Sequence, residues 1–130
     1  KEAAYQVEWA ELEKNPSSLN SMTNLALFYY LDKRQSEYES LIRALLNIYP
    51  MHDHQKLRLA TVLGRTGYYE TAYNRFRMIN KETVKGHLSY YRWYSYTFFH
   101  LGKKEKAAKI WKEGCKKHPM MSKEVHPWDR

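Results

Sequence analysis

The chain has 130 residues, of which 43% are apolar and 28% are charged, and its formal net charge is +8. This size and composition predict one globular domain, either whole or part of a larger chain, and an aromatic content of 15% is too high for a disordered chain. The longest apolar runs are only a few residues, which excludes a transmembrane helix, and the single cysteine excludes an internal disulfide. No secretory signal is visible, so a cytoplasmic location is the default expectation.

The basic charge is unevenly distributed along the chain. The first 17 residues have a net charge of −2, whereas residues 88–130 have a net charge of +6. A basic C-terminal half is able to attract acidic peptides, nucleic acid or anionic lipid. The simpler interpretation of the lysines between 103 and 117 is that they solvate one face of a helix.

Residues 1–15 are predicted to form a helix. Tyr5, Trp9 and Leu12 recur three or four residues apart, which is helical spacing, and Pro16 ends the pattern. We expect this helix to pack on the next helix in the chain. Because the sequence starts with Lys rather than Met, it is expected to be an excised segment or a processed product.

Three units of 34 residues follow, over residues 19–52, 53–86 and 88–121, with His87 between the last two. Each unit begins with a large residue, a large–small pair and another large residue at helical spacing. These residues are Met22, Leu25, Ala26 and Tyr29 in the first unit, Lys56, Leu59, Ala60 and Leu63 in the second, and Tyr91, Tyr94, Ser95 and Phe98 in the third. No stretch shows the sustained alternation of a strand, so an all-α domain is predicted.

The second half of each unit repeats as well. A small residue followed four residues later by a large one occurs at Ala72 and Phe76, and again at Ala107 and Trp111. The small residues are expected to let neighbouring helices approach closely, and the large ones to fill the remaining space. Gly67 and Gly102 precede these pairs, and glycine permits the backbone angles that end a helix sharply.

This pattern resembles the tetratricopeptide repeat (TPR) family, whose repeat carries an aromatic residue, Leu-Gly, Tyr, Ala, Phe and Pro at fixed spacing. The resemblance covers roughly residues 19–121. It implies a right-handed superhelix of tandem antiparallel helix pairs, an α-α solenoid. Residues 1–121 would then form a single repeat domain, in which residues 1–15 are the second helix of a truncated preceding repeat. Residues 122–130 would form a C-terminal tail.

The first two units depart from the family pattern. Tyr38 replaces the usual small residue of the second helix in unit one, and Val84 stands where unit two would carry its terminal proline. Ser36 with Glu39 three residues later is typical of a capping box, which predicts a helix near Glu37–Ile48.

The resemblance implies that a peptide binds on the concave side, which the first helix of each pair lines. Arginines there suit carboxylates or phosphates, and aromatic side chains supply binding area. The candidate groove residues are Asn24, Tyr30, His54, Arg58, Arg65, Arg92, Trp93, Tyr96 and His100. They predict a site for an extended or helical peptide with acidic and hydrophobic residues. The alternative is that the arginines are solvated and the aromatic residues lie in the core.

Two other functions remain open. Basic charge interleaved with aromatic residues over 90–96 is able to bind single-stranded nucleic acid, although Tyr91 and Tyr94 are already assigned to repeat packing. The second is a structural role, in which uncovered ends of the repeat stack assemble into a homodimer. Residues 120–130 are too short and too interrupted by proline to form a full capping helix.

Catalytic and metal-binding patterns are absent from the sequence. It contains no glycine-rich elbow, phosphate loop, HExxH or paired-carboxylate motif. Cys115, His118 and His126 would leave a zinc ion short of a closed ligand shell. We therefore predict a non-catalytic adaptor or scaffold without a metal or cofactor, whose partner is a protein or peptide.

Overall fold

The computed structural model describes residues 2–129, and these residues are helical with no strand. Eight α-helices are followed by two short 3-10 helices. The α-helices are α1 Glu2–Lys14, α2 Leu19–Leu31, α3 Gln35–Leu46, α4 Asp53–Arg65, α5 Tyr69–Arg77, α6 Lys81–Val84, α7 Leu88–His100 and α8 Lys104–Lys117. The 3-10 helices are Pro119–Lys123 and Pro127–Asp129. The predicted all-α class is confirmed.

The chain divides into two compact units, Lys1–Pro50 and Met51–Arg130, called here the N-terminal and C-terminal units. In the N-terminal unit, α2 packs on both α1 and α3. Tyr5 attaches α1, because its ring stacks on Tyr29 with centroids 5.3 Å apart and its hydroxyl donates to Asp32 Oδ2 at 2.6 Å.

The C-terminal unit is built from the pairs α4–α5 and α7–α8, and α7 packs on both α4 and α5. The small residues predicted at the helix crossings are buried. They are Ala60, Ala72, Ser95 and Ala107. Phe76 stacks on Tyr94 at 4.7 Å, and Tyr94 stacks on Phe98 at 4.6 Å. The predicted division between small crossing residues and large space-filling residues therefore holds in this unit.

The turn within each helix pair contains one residue with left-handed backbone angles. These residues are Lys33 with φ 60°, Gly67 with φ 102° and Gly102 with φ 80°. Each is the fifteenth residue of its 34-residue unit. The conformation predicted for the two glycines is thus present, and the first pair adopts it with a lysine.

The capping box predicted at Ser36 and Glu39 is wrong. The N-cap of α3 is Arg34, no side chain caps the helix, and Ser36 lies inside its first turn. Glu39 instead accepts a hydrogen bond from Gln35 Nε2 at 2.8 Å. The helix starts earlier than predicted because the left-handed turn at Lys33 ends one residue before Arg34.

Residues 119–129, called here the C-terminal segment, pack on the last helix pair. The first 3-10 helix contacts α8 and the second contacts α7. Met121 and Pro127 are buried. Gly114 of α8 allows this packing, because a Cβ there would lie 2.5 Å from Tyr91 Cβ and 3.0 Å from Met121 Cε.

Candidate binding surface

Four rings and one guanidinium of the C-terminal unit form a connected group, called here the aromatic cluster. Its members are Arg65, Tyr69, Trp93, Tyr96 and His100. The Arg65 guanidinium lies 4.5 Å from the Trp93 ring, and the Trp93 and Tyr96 rings are 5.3 Å apart. His100 lies 4.4 Å from Tyr96 and stacks on Tyr69 at 4.6 Å with an interplanar angle of 6°. Each ring therefore restricts the orientation of the next.

The local sequence explains why these side chains meet. Trp93, Tyr96 and His100 are spaced three and four residues apart on α7, so they share one helix face. Tyr69 is the first residue of α5, directly after the turn at Gly67, and this turn brings its ring to His100. Tyr69 was not predicted, because only the first helix of each pair was expected to line the groove.

The cluster is partly open to solvent. His100 is exposed, and the other four members are half-buried. Desolvation by the neighbouring rings lowers the pKa of His100, which favours the uncharged imidazole. The surface therefore offers planar apolar area, with its positive charge supplied by Arg65.

Arg58 and His54 continue the same face of α4 toward its N-terminus. They precede Arg65 by seven and eleven residues, which is about two and three helical turns. Both side chains are exposed, and the His54 ring lies 4.8 Å from that of His87. His54 and Arg58 are thus exposed on the side of α4 that also carries Arg65 of the cluster.

Arg92 was predicted as a groove residue, and the structure places it in an ion pair within the chain. Its Nη2 donates to Glu124 Oε1 at 2.7 Å and to Oε2 at 2.8 Å, and its Nε donates to Oε1 at 3.2 Å. Both side chains are about one quarter exposed, at 24% and 26%. The C-terminal segment therefore occupies the donors that were predicted to bind a ligand.

Trp128 extends the aromatic cluster along the C-terminal segment. Its ring stacks on Phe99 at 5.0 Å with an interplanar angle of 5°, and on His126 at 4.6 Å. Phe99 in turn lies 5.5 Å from His100, and His126 lies 5.0 Å from Trp111. The residues predicted to be a tail thus border the candidate surface.

The remaining two candidates lie in the N-terminal unit. Asn24 Nδ2 donates to Glu8 Oε2 at 3.1 Å, which links α2 to α1. Tyr30 is 40% exposed, and its ring lies 5.3 Å from that of Tyr38. The aromatic cluster draws its members from the C-terminal unit alone.

Charge differs sharply between the two units. The N-terminal unit has five Lys and Arg against seven Asp and Glu, whereas the C-terminal unit has 17 against seven. Lys109, Lys112 and Lys116 share an exposed face of α8. Their spacing of three and four residues places them in one stripe.

Among residues 2–129, no group of three or more His, Cys, Asp or Glu side chains is arranged to hold a metal ion. Burial raises the pKa of the Cys115 thiol, and the nearby Glu124 carboxylate adds to this effect. Within the same residues, none of the helices has both the length and the apolar character needed to cross a bilayer.

Comparison with known proteins supports the repeat assignment. No protein-family model matches the sequence. The TPR repeat-containing protein YvcD of Bacillus subtilis (strain 168) is 28% identical over 128 residues, which is 98% of this chain and 25% of YvcD. The chain therefore spans a quarter of the length of this curated relative.

Two solved structures of MamA (AMB-1, P212121 and C2221) have the same fold. Their TM-scores are 0.56 and 0.54, their sequence identity is 18%, and they cover 87% and 86% of this chain. The matched parts are 66% and 65% of the MamA chains. At this identity the likeness concerns the fold alone. Together with the similarity to YvcD, it confirms the resemblance to the TPR family that the spacing predicted, and the all-α helical-repeat fold.

Proposed function

We propose that this chain is a non-catalytic adaptor or scaffold module that binds a peptide or partner helix on the face of α4 and α7. The similarity to a TPR repeat-containing protein supports a protein-interaction module in general. The observation that carries the proposal is the aromatic cluster. Tyr, Trp and Arg are the residues most enriched among those that dominate binding energy at protein interfaces.

The cluster is suited to binding because neighbouring rings hold its side chains in place before a ligand binds. Tyr96 is held between Trp93 and His100, and His100 is held by Tyr69. Side chains that are already fixed lose less conformational entropy on association, and this leaves more of the contact energy as affinity.

The charge around the cluster indicates the chemistry of the partner. Arg58 and Arg65 lie on one face of α4 and are suited to carboxylates. The excess of ten positive charges in the C-terminal unit would steer an acidic partner toward it. The favoured ligand is therefore a peptide or helix with acidic residues for the arginines and hydrophobic residues for the rings.

Burial of three of the four tyrosines on α7 favours a protein over single-stranded nucleic acid. Stacking of bases requires exposed rings, but Tyr90, Tyr91 and Tyr94 are buried, with at most 8% of each residue exposed. The lysine stripe on α8 supplies charge without rings on the same face. Nucleic-acid binding and homodimerisation are the alternative functions, and each predicts a different result in the experiment below.

The test is affinity capture from host lysate with three baits. The first is the wild type, the second carries Arg58→Ala, Trp93→Ala and Tyr96→Ala, and the third carries Ala at Lys109, Lys112 and Lys116. Circular dichroism checks that each bait retains its helicity. We expect a protein retained by the wild type and the lysine variant to be lost from the cluster variant.

Each other outcome removes a specific part of the proposal. An unchanged set of captured proteins with the cluster variant would contradict binding at α4 and α7. Nucleic acid retained by the wild type and lost from the lysine variant would assign the function to charge on α8. Sedimentation of the wild type as a dimer, with assembly unaffected by the cluster changes, would support the structural role.

A further inference from the structure

The C-terminal segment has the chemistry that the candidate surface is predicted to bind. It presents a carboxylate at Glu124 and a planar aromatic ring at Trp128, four residues apart. The carboxylate pairs with Arg92 at 2.7 and 2.8 Å, and the ring stacks on Phe99 at 5.0 Å. An acidic and aromatic peptide of this chain is thus already seated on α7.

The distance between Arg92 and Phe99 on α7 is compatible with the distance that the segment can span between Glu124 and Trp128. Arg92 and Phe99 are seven residues apart on a helix, which corresponds to about 10 Å along its axis. Glu124 has an extended backbone with φ −87° and ψ 148°. Four residues of extended chain reach at most about 14 Å, so a carboxylate and a ring four residues apart are able to reach both anchors.

Residues 124–129 contain one buried residue, Pro127, whereas α7 contains six. Met120 is 77% exposed and Val125 is 59% exposed, on either side of the buried Met121. The Arg92–Glu124 pair is itself about one quarter exposed. Elements with few buried apolar residues open at lower free energy than the core does, so residues 124–129 are positioned to be displaced while α7 and α8 stay folded.

We propose that the Arg92–Phe99 surface of α7 binds partner peptides that carry a carboxylate and a planar aromatic side chain four residues apart. Residues 124–128 occupy this surface until such a peptide displaces them. The inference rests on the proposed function only in taking α7 to be a protein-binding helix, because its anchors lie outside the aromatic cluster.

Displacement would change what the cluster presents. Trp128 covers Phe99, and Phe99 lies beside His100 at the end of the cluster. When Trp128 leaves, the Phe99 ring becomes available next to His100 and Tyr96. A partner whose own ring replaces Trp128 contacts both the Arg92–Phe99 surface and the aromatic cluster. The tethered segment competes with it at a high effective concentration, which lowers the apparent affinity for every other peptide.

The experiment uses the full chain with Glu124→Gln and Trp128→Ala, which weakens both anchors of the segment. The probe is a synthetic peptide with the sequence of residues 119–130, labelled for fluorescence anisotropy. Because the competing segment is weakened, we expect the variant to bind this peptide at least about tenfold more tightly than the wild type does. Glu105→Gln, which alters an exposed carboxylate on α8, is the matched control and should bind like the wild type.

Two further reagents establish where the peptide binds. A probe peptide with Gln and Ala in place of its Glu and Trp should not bind the double variant. Adding Arg92→Ala to the double variant should abolish binding of the original probe. If the helicity of the double variant falls, Glu124→Gln alone is used, and a smaller gain in affinity over the wild type is expected.

The proposal is overturned if the folded variant does not bind the probe, or if it binds the altered peptide equally well. No gain from Glu124→Gln would overturn it in the same way. Failure of this inference is separable from failure of the proposed function. Peptide binding that needs Arg92, together with capture that ignores Trp93 and Tyr96, would keep the inference and remove the cluster. The reverse pattern would keep the cluster and remove the inference.

Discussion

In the N-terminal unit the left-handed residue between paired helices is Lys33, whereas in the C-terminal unit the equivalent residues are Gly67 and Gly102. The residue after Lys33, Arg34, contacts two neighbouring side chains. The Arg34 guanidinium lies 5.0 Å from the Tyr5 ring, and its Nη2 pairs with Glu37 at 2.6 Å. A strained backbone is tolerated where surrounding contacts fix it, and here those contacts also hold α1.

The same comparison shows how the two units use their aromatic residues. In the N-terminal unit, Tyr5 stacks on Tyr29 to attach a helix. In the C-terminal unit, core rings such as Phe76 and Tyr94 stack below the surface, and a second set, including Trp93 and Tyr96, remains partly exposed. The repeat pattern therefore determines the core positions, and the other positions of α7 are available for binding.

The largest expected losses of stability test whether the three repeats place the same position in the core. Ile42, Phe76 and Trp111 occupy the twenty-fourth position of their repeats and are 1%, 1% and 6% exposed. Replacing Phe76 or Trp111 with Ala should lower the free energy of unfolding by about 3–5 kcal/mol, and Ile42→Ala by about 2–5 kcal/mol, because each leaves a cavity. Urea denaturation followed by circular dichroism measures these losses.

The matched control for these three variants is Met78→Ala, at a residue that is 56% exposed. Surface changes usually alter stability by about 0.5 kcal/mol or less. Losses below about 1 kcal/mol at both Phe76 and Trp111 would contradict the register, since buried aromatic residues cost several times more to remove.

A smaller loss of stability is expected from a substitution that only the last helix pair makes possible. Gly114 stands at the twenty-seventh position of its unit, where the other units carry Leu45 and Ile79. Because a Cβ at Gly114 would lie 2.5 Å from Tyr91 Cβ, Gly114→Ala should lower the free energy of unfolding by about 1–3 kcal/mol through overpacking. Gly86→Ala is the control, since a Cβ there meets nothing within 4 Å. Equal stability of the two variants in urea would contradict this prediction, because it would show that α7 and α8 move apart enough to accommodate the added methyl group.

The core and the turns could be predicted from the sequence because both depend on local, periodic signals. Apolar spacing predicted the helix pairs, and the small crossing residues such as Ala72 and Ala107 are indeed buried. Gly67 and Gly102 were recognised because glycine tolerates positive φ. The capping box at Ser36 failed because cap patterns are short, and a neighbouring turn shifted the start of the helix.

The candidate surface could be predicted only in part. Trp93, Tyr96 and His100 share a helix face, which spacing alone reveals. Tyr69 joins them, and Glu124 pairs with Arg92, through contacts between residues 27 and 32 positions apart. No periodic signal marks such pairs, because they depend on how a turn or an irregular segment folds back. Trp128 and its proline neighbours were for the same reason assigned to a tail.

The smallest expected effect returns to the turn between α2 and α3. A left-handed backbone costs a residue with a side chain about 1–2 kcal/mol, and glycine removes this cost. Lys33→Gly should therefore raise the free energy of unfolding by about 0.5–1 kcal/mol, less than the full strain because glycine also makes the unfolded chain more flexible.

Gly67→Ala should have the opposite sign, since its φ of 102° is unfavourable for alanine and no packing gain offsets it. Lys33→Ala is the control, because it removes the charge and the long side chain and keeps the Cβ. If Lys33→Ala stabilises the protein as much as Lys33→Gly does, charge rather than backbone angle distinguishes this turn, and the contrast between the two units would be one of electrostatics.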